Sequence, residues 1–370
     1  MAPVIEALLP RDLYDIYEKV QAGERLSGAD GVRILTHPNL AAIGMLADLA
    51  RHVRVGDHVY YNNAGYINYS NVCVLHNVCK FCAFGKTRDD PDAYTFQIEE
   101  MVTKARAWAS AGITEIHMVG GLHPDLPFEY YTGFLSAIKR ALPHVHLKAF
   151  TAVEIDFFAR KFKLSLDEVL DRLQAAGHGS ITGGGAEQMH PEVHDVICKG
   201  KMSAERYLEV HRLAHRRGIR SNATMLYGTV EEPRHVVYHL ERLRELQDET
   251  GGFQCFVPLA FHPTNTELAH LPGPTGWYDL RIMATSRLLL DNFRYIKAYW
   301  VMMSPRMAQV SLRWGANDVD GTIREERIYH LAGSTSPLEQ SERELVDLIR
   351  GAGLIPAERD PYYRILKIPA

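Results

Sequence analysis

The sequence predicts an α/β protein, a (β/α)8 TIM-type barrel with N-terminal helical and C-terminal extensions. Three observations lead there. Short apolar runs alternate with longer amphipathic segments, unusual residues follow the apolar runs, and no linker interrupts the alternation. Successive parallel strands need a crossover helix, so sustained alternation implies a parallel sheet.

The N-terminal part reads as helical, with one amphipathic helix opening at residues 12–17 and another over 40–51. From Tyr60 onward, strands are predicted at 66–72, 115–119, 147–153, 179–182, 221–227, 254–260 and 295–301. Helices are predicted between them at 98–111, 128–142, 166–176, 204–217 and 235–249. An eighth strand at 310–314 would close the barrel. The tail offers a helix at 342–351 and an extended end with prolines. The expected organisation is a helical extension over 1–58, a barrel over 59–335 and a packed extension over 336–370. Reactive groups of such barrels sit beyond the C-terminal ends of strands. Here the cysteine cluster follows the first strand, Gly120 and Gly121 the second, Glu154 the third and the 183–185 glycine run the fourth.

Composition narrows the function. The chain has 370 residues, 46% hydrophobic and 23% charged, which suffices for a core without disulfides. Its 41 basic and 45 acidic side chains give a formal charge of −4. That balance argues against nucleic acid and against an anionic membrane as partners. No apolar run approaches the roughly 18 residues needed to span a bilayer. Residues 1–10 lack a basic region before an apolar core, so no signal peptide is expected and the chain reads as cytoplasmic. Of five cysteines, Cys73, Cys79 and Cys82 fall within ten residues, while Cys198 and Cys255 stand alone. This is a metal-site pattern in a reducing compartment, not a disulfide framework, and the two lone cysteines read as small buried hydrophobes.

The loop reads Asn71-Val72-Cys73-Val74-Leu75-His76-Asn77-Val78-Cys79-Lys80-Phe81-Cys82-Ala83-Phe84. Three thiolates can hold three irons of a cubane 4Fe-4S cluster and leave the fourth iron open to an external ligand. Zinc competes, because His76 completes a tetrahedral set with the three cysteines. Structural zinc ligands usually come as two separated pairs, whereas these four share one loop. A zinc-stabilised barrel acting as a hydrolase or binding scaffold is the alternative from another class.

With Phe81 before the last cysteine and Ala83-Phe84 after it, the loop resembles that of the radical S-adenosylmethionine superfamily. It departs from the usual spacing, since five residues (74–78) lie between the first two cysteines where the superfamily has three. Segments 119–127, 147–155, 183–187, 221–228, 258–263 and 315–322 are similar to the aminofutalosine synthase family of menaquinone biosynthesis. Several also occur in the dehypoxanthine futalosine cyclases and a deazaflavin synthase subunit. Segments 183–187 and 246–253 favour the synthases.

The resemblance implies a 4Fe-4S cluster on Cys73, Cys79 and Cys82, with S-adenosyl-L-methionine consumed as co-substrate. It also implies a small aryl vinyl ether substrate and a reductase or flavodoxin-type electron donor. Its candidate cofactor contacts are Phe81, Gly120, Gly121, Thr151, Glu154 and Glu187. The glycines would also suit a tight turn, although the resemblance favours ligand contact, and the carboxylates equally suit rim salt bridges. Asn222 and His262 are the candidates for orienting substrate. His123 and His190 read as helix-start residues before proline. Arg306, Arg313 and Lys148 are candidates for the substrate's carboxylates.

Overall fold

The computed structural model describes residues 8–369, so the first seven of the ten residues read above for a signal peptide lie outside it. Its strands are β1 (His58–Asn62), β2 (Ala64–Asn68), β3 (Glu115–Val119), β4 (His146–Ala149), β5 (Ser180–Ile181), β6 (Arg220–Tyr227), β7 (Phe253–Ala260), β8 (Tyr295–Ile296), β9 (Asp318–Gly321), β10 (Ile355–Arg359) and β11 (Ile365–Lys367). Strands β2 to β8 form a seven-stranded sheet in sequence order, parallel throughout. It curls into a partial barrel, as the alternation implied.

The eighth strand is corrected. Val310 lies in the helix Trp300–Ser311 and is 44% exposed, and Arg313 and Trp314 follow in turns. The polar neighbours Gln309 and Arg313 donate to backbone carbonyls of Leu348, Ala352 and Gly353, which suits a surface helix end and not a buried strand. The third strand is also shorter than expected, ending at Ala149. Thr151 caps the helix Ala152–Phe162 in a reciprocal box with Glu154, and that local pairing overrides the apolar run.

The gap between β2 and β8 is spanned by β9 and the chain after it. Lys297 bridges Asp318 in parallel, and Tyr66 N–H donates to Arg324 O at 3.0 Å. Strand β9 belongs to a second sheet of order β11-β10-β1-β9, which joins a strand before the barrel to the chain's C-terminal strands.

Parallel register sets which side chains face inward. Tyr66, His117 and Lys148 form one row across β2, β3 and β4, and Asn68 and Val119 form the row above. Opposite them, Asn222, Thr224 and Leu226 of β6 and Val257 and Leu259 of β7 alternate into the same cavity. The floor carries ion pairs. Lys148 meets Glu115 at 2.9 Å and Lys297 meets Asp320 at 2.7 Å, while Tyr66 O–H donates to Asp320 at 2.8 Å. Just outside, Arg359 of β10 holds Asp318 at 2.8 Å, both fully buried. Asp320 takes a left-handed φ of 68°, a strained conformation fixed by its partners on two strands.

Removing one member of a buried pair strands the other charge. Arg359→Leu is therefore expected to cost about 3–5 kcal/mol of stability, measured as a shift of the urea unfolding midpoint.

Candidate active site

The cysteine loop leaves β2 and returns beside it. Cys73 N–H donates to Lys86 O at 2.9 Å and Lys86 N–H to Asn71 O at 2.8 Å, which clamps the loop's base. Val74 N–H donates to Leu122 O at 3.0 Å, tying the loop to the chain after β3. Cys79 N–H donates to Leu75 O at 3.1 Å and Cys82 N–H to Cys79 O at 3.0 Å, so tight turns set the cysteine spacing. Cys73, Cys79 and Cys82 all line a single cavity at the mouth of the sheet.

Their geometry separates the two metals. Among the described residues, the one trio of potential ligand atoms within 4.8 Å of one another is His190, Glu192 and His235. No three atoms of the set Cys73, His76, Cys79 and Cys82 converge in that way, as a tetrahedral zinc site with bonds of about 2.0–2.3 Å requires. The His76 ring instead hydrogen-bonds through Nδ1 to Cys73 O at 3.0 Å. Dispersed sulfurs on one cavity wall fit a cubane, in which each thiolate meets its own iron. Burial pushes the Cys73 and Cys79 thiols up, so both are neutral near pH 7 until a metal's charge favours the thiolates.

Gly120 and Gly121 lie directly under this loop. A Cβ on Gly121 would sit 2.3 Å from Val72 O, and one on Gly120 would sit 2.7 Å from the Tyr69 ring. The pair lets the cysteine loop rest on the chain after β3. Glu154 locks the arrangement from below. Its Oε1 accepts from Tyr69 O–H at 2.5 Å and Gly120 N–H at 3.2 Å, and its Oε2 accepts from the Thr151 amide and hydroxyl, each at 2.7 Å. The acceptor positions of this carboxylate are thus filled by the protein. Burial raises its pKa to about 7 despite those donors.

Other candidates line the same cavity: Phe81, Thr151, Glu187, Asn222 and His262. Glu187 has a left-handed φ of 49° and pairs with buried Lys201, whose ammonium lies 5.3 Å from the Phe81 ring centroid. His262 Nε2 lies 2.8 Å from Met302 O; a carbonyl only accepts, so Nε2 carries the proton and Nδ1 keeps a free lone pair. Burial lowers its pKa, which keeps the ring neutral.

Arg306 is exposed and Arg313 hydrogen-bonds a turn on the outer surface, so neither reaches the cavity, whereas Lys148 does. His190 caps the helix Pro191–Ile197 and accepts the Glu192 N–H, as its helix-start reading expects; His123 accepts the Asp125 N–H within a loop, because the next helix starts only at Phe128. The sequence reading missed Lys201, Tyr66, His117, Lys297 and Asp320. Period-two alternation through Glu115, His117 and Val119 was the available signal for His117.

Comparison with known proteins decides the family. The radical SAM superfamily profile matches residues 67–243, and the CofH/MqnC C-terminal region matches residues 250–370. The chain is 44% identical over 360 residues to the aminodeoxyfutalosine synthase of Thermus thermophilus, covering 96% of each chain. The chain belongs to the radical SAM superfamily. It is also 38% identical to the 5-amino-6-(D-ribitylamino)uracil–L-tyrosine 4-hydroxyphenyl transferase of Methanopyrus kandleri, covering 86% of this chain and 87% of that one. The fold agrees with the crystal structure of methylornithine synthase, with a TM-score of 0.72, 18% identity, and 92% of this chain and 97% of that one covered. As a radical SAM enzyme it is expected to use a 4Fe-4S cluster and S-adenosylmethionine. Among the described residues no helix is long and apolar enough to cross a membrane.

Two outcomes follow from this geometry. Gly121→Ala should displace Cys73, and iron retained after anaerobic reconstitution should fall to roughly half of wild type or less. Glu154 gives a pH signature in the metal-free protein. Between its ordinary value of 4.5 and its folded value of about 7, the unfolded carboxyl has lost its proton while the folded one keeps it. Stability contributed by this group therefore falls as pH rises through that window, by roughly 3 kcal/mol in all. Glu154→Gln should remove that slope, read as the wild-type-minus-variant difference in urea midpoints at about pH 5 and about pH 7.5.

Proposed function

We propose that this chain is an aminofutalosine synthase. It joins the 5′-deoxyadenosyl part of S-adenosylmethionine to the vinyl ether of 3-[(1-carboxyvinyl)oxy]benzoate, with rearrangement and loss of a carboxyl group. The product is 6-amino-6-deoxyfutalosine, an intermediate of menaquinone biosynthesis. The observation that carries this reading is the two-sided cavity beneath the cysteine loop. Leu226, Val257, Leu259 and Phe261 offer one apolar wall, while Lys148, Lys297 and His117 lie on the polar floor. An aryl ring bearing a carboxylate suits such a site. The 44% identity to an aminodeoxyfutalosine synthase, against 38% to the tyrosine hydroxyphenyl transferase, supports the same choice.

Cys73, Cys79 and Cys82 would hold the cluster. A cluster held there would supply the one-electron reduction by which S-adenosylmethionine gives its 5′-deoxyadenosyl fragment. Gly120 and Gly121 bring backbone close to the methionyl end, with Thr151 and Glu154 holding that backbone in place. Phe81 and Glu187 flank the adenosyl end, and Lys201 neutralises Glu187. Asn222 and His262 orient the aryl ether, Asn222 by donating from its side-chain amide to an oxygen of the substrate and His262 by presenting its ring to the cavity. The apolar wall of Leu226, Val257, Leu259 and Phe261 keeps water and stray hydrogen donors from a reactive carbon. A reductase or flavodoxin-type donor supplies the electrons.

Anaerobically reconstituted protein should be brown with about four irons per chain, as a cubane requires. Given S-adenosylmethionine, reductant and the carboxyvinyloxybenzoate, it should form an adenosylated product detected by mass. Colourless protein with a single zinc would sink the reading. Free 5′-deoxyadenosine without adduct would point to a cyclase-type relative. His262→Ala should lower turnover or substrate affinity by about tenfold or more; unchanged kinetics would remove its role.

A further inference from the structure

The cavity floor holds a polar group, His117, whose individual contact with a ligand has not been assigned. His117 is the register partner of Tyr66 on one side and of Lys148 on the other, and all three line the cavity. Its ring stacks on Tyr66 with centroids 4.5 Å apart and planes 7° apart, which fixes its orientation. The groups around it are paired with one another: Lys148 with Glu115, and Tyr66 and Lys297 with Asp320. Among the described residues, neither nitrogen of His117 hydrogen-bonds to the protein, although the ring is half-buried and lines the cavity. Burial, with the Lys148 ammonium next in effect, pushes its pKa down to about 4, so the ring is neutral near pH 7, with one N–H donor and one acceptor. Among the described residues the Lys148 ammonium bonds Glu115 alone, and an ammonium has three donors.

An unpartnered donor beside a lysine with donors to spare is a place for an anion. Depth gives the anion an identity. His117 lies three residues before Gly120 on the same strand path, about 10 Å deeper at about 3.3 Å per residue. That is roughly the reach of an aryl carboxylate whose vinyl ether lies under the cysteine loop. We propose that His117, with Lys148, binds the ring carboxylate of the substrate and so selects carboxylated aryl ethers over uncharged ones. The identity of the ligand rests on the proposed function; the anion subsite itself rests on the floor geometry.

The test uses equilibrium binding, so it does not depend on turnover. Reconstituted wild type, His117→Phe and His117→Gln are titrated with 3-methoxybenzoate and with its uncharged counterpart, anisole. Phenylalanine keeps the aromatic face toward Tyr66 and deletes both nitrogens, whereas glutamine keeps an N–H donor. Wild type should prefer the carboxylated probe, and His117→Phe should bind it about 10- to 100-fold more weakly with anisole affinity unchanged. His117→Gln should recover most of that loss, which a merely structural ring would not explain. Equal binding of 3-methoxybenzoate by wild type and His117→Phe overturns the inference, as does wild type showing no preference for the carboxylate. Failure of the proposed reaction is read separately: discrimination by His117 persists, but no adenosylated product forms.

Discussion

The site depends on the ion-paired seam that completes the partial barrel. A seven-stranded parallel sheet leaves β2 and β8 with unmet edges. Lys297 and Tyr66, one from each side of the opening, both reach Asp320 of the spanning segment. Arg359 anchors the neighbouring Asp318 from the second sheet. Each charge is buried, so each is tolerable only with its partner in place. The seam thus joins closure of the barrel to the polar floor of the cavity. It also explains why a strand from before the barrel and strands from the chain's end share a sheet with β9.

A second constraint operates at the mouth. The cysteine loop rests on Gly120 and Gly121 with no room for a Cβ, and Glu154 holds both the glycine backbone and Tyr69 beneath it. Here a carboxylate in the first turn of a helix, which sequence alone reads equally as a ligand contact or a rim charge, has its acceptor positions filled from within the protein. Its service to the site is to fix the backbone that a ligand would meet.

Much of the fold was legible because alternation of apolar runs and amphipathic helices reports local burial directly. The helix over 342–351 and strand β3 fall where the pattern places them. The failures have physical causes. The capping box of Thr151 and Glu154 is a short local signal that an apolar run obscured. Val310 belongs to a surface helix because polar neighbours there find carbonyl partners on the C-terminal segment, a contact no window of sequence can register. Cys73, Cys79 and Cys82 were readable because thiolate ligands must cluster to hold one metal group. Lys201, Lys297 and Asp320 carry no such mark, since a charged residue looks the same in sequence whether solvated or buried.

The sequence by itself determined the strand–helix order, the cysteine loop after the first barrel strand and the glycine pair after the second. These rest on periodicity and on residue types with few substitutes. Only the tertiary structure decided that the sheet stops at seven strands, that His76 spends Nδ1 on the Cys73 carbonyl, and that Lys148 and not Arg306 or Arg313 faces the cavity. It also left His117 unpartnered among paired charges. Such outcomes depend on which distant strands become neighbours, and register across a sheet is fixed by packing that no single segment contains.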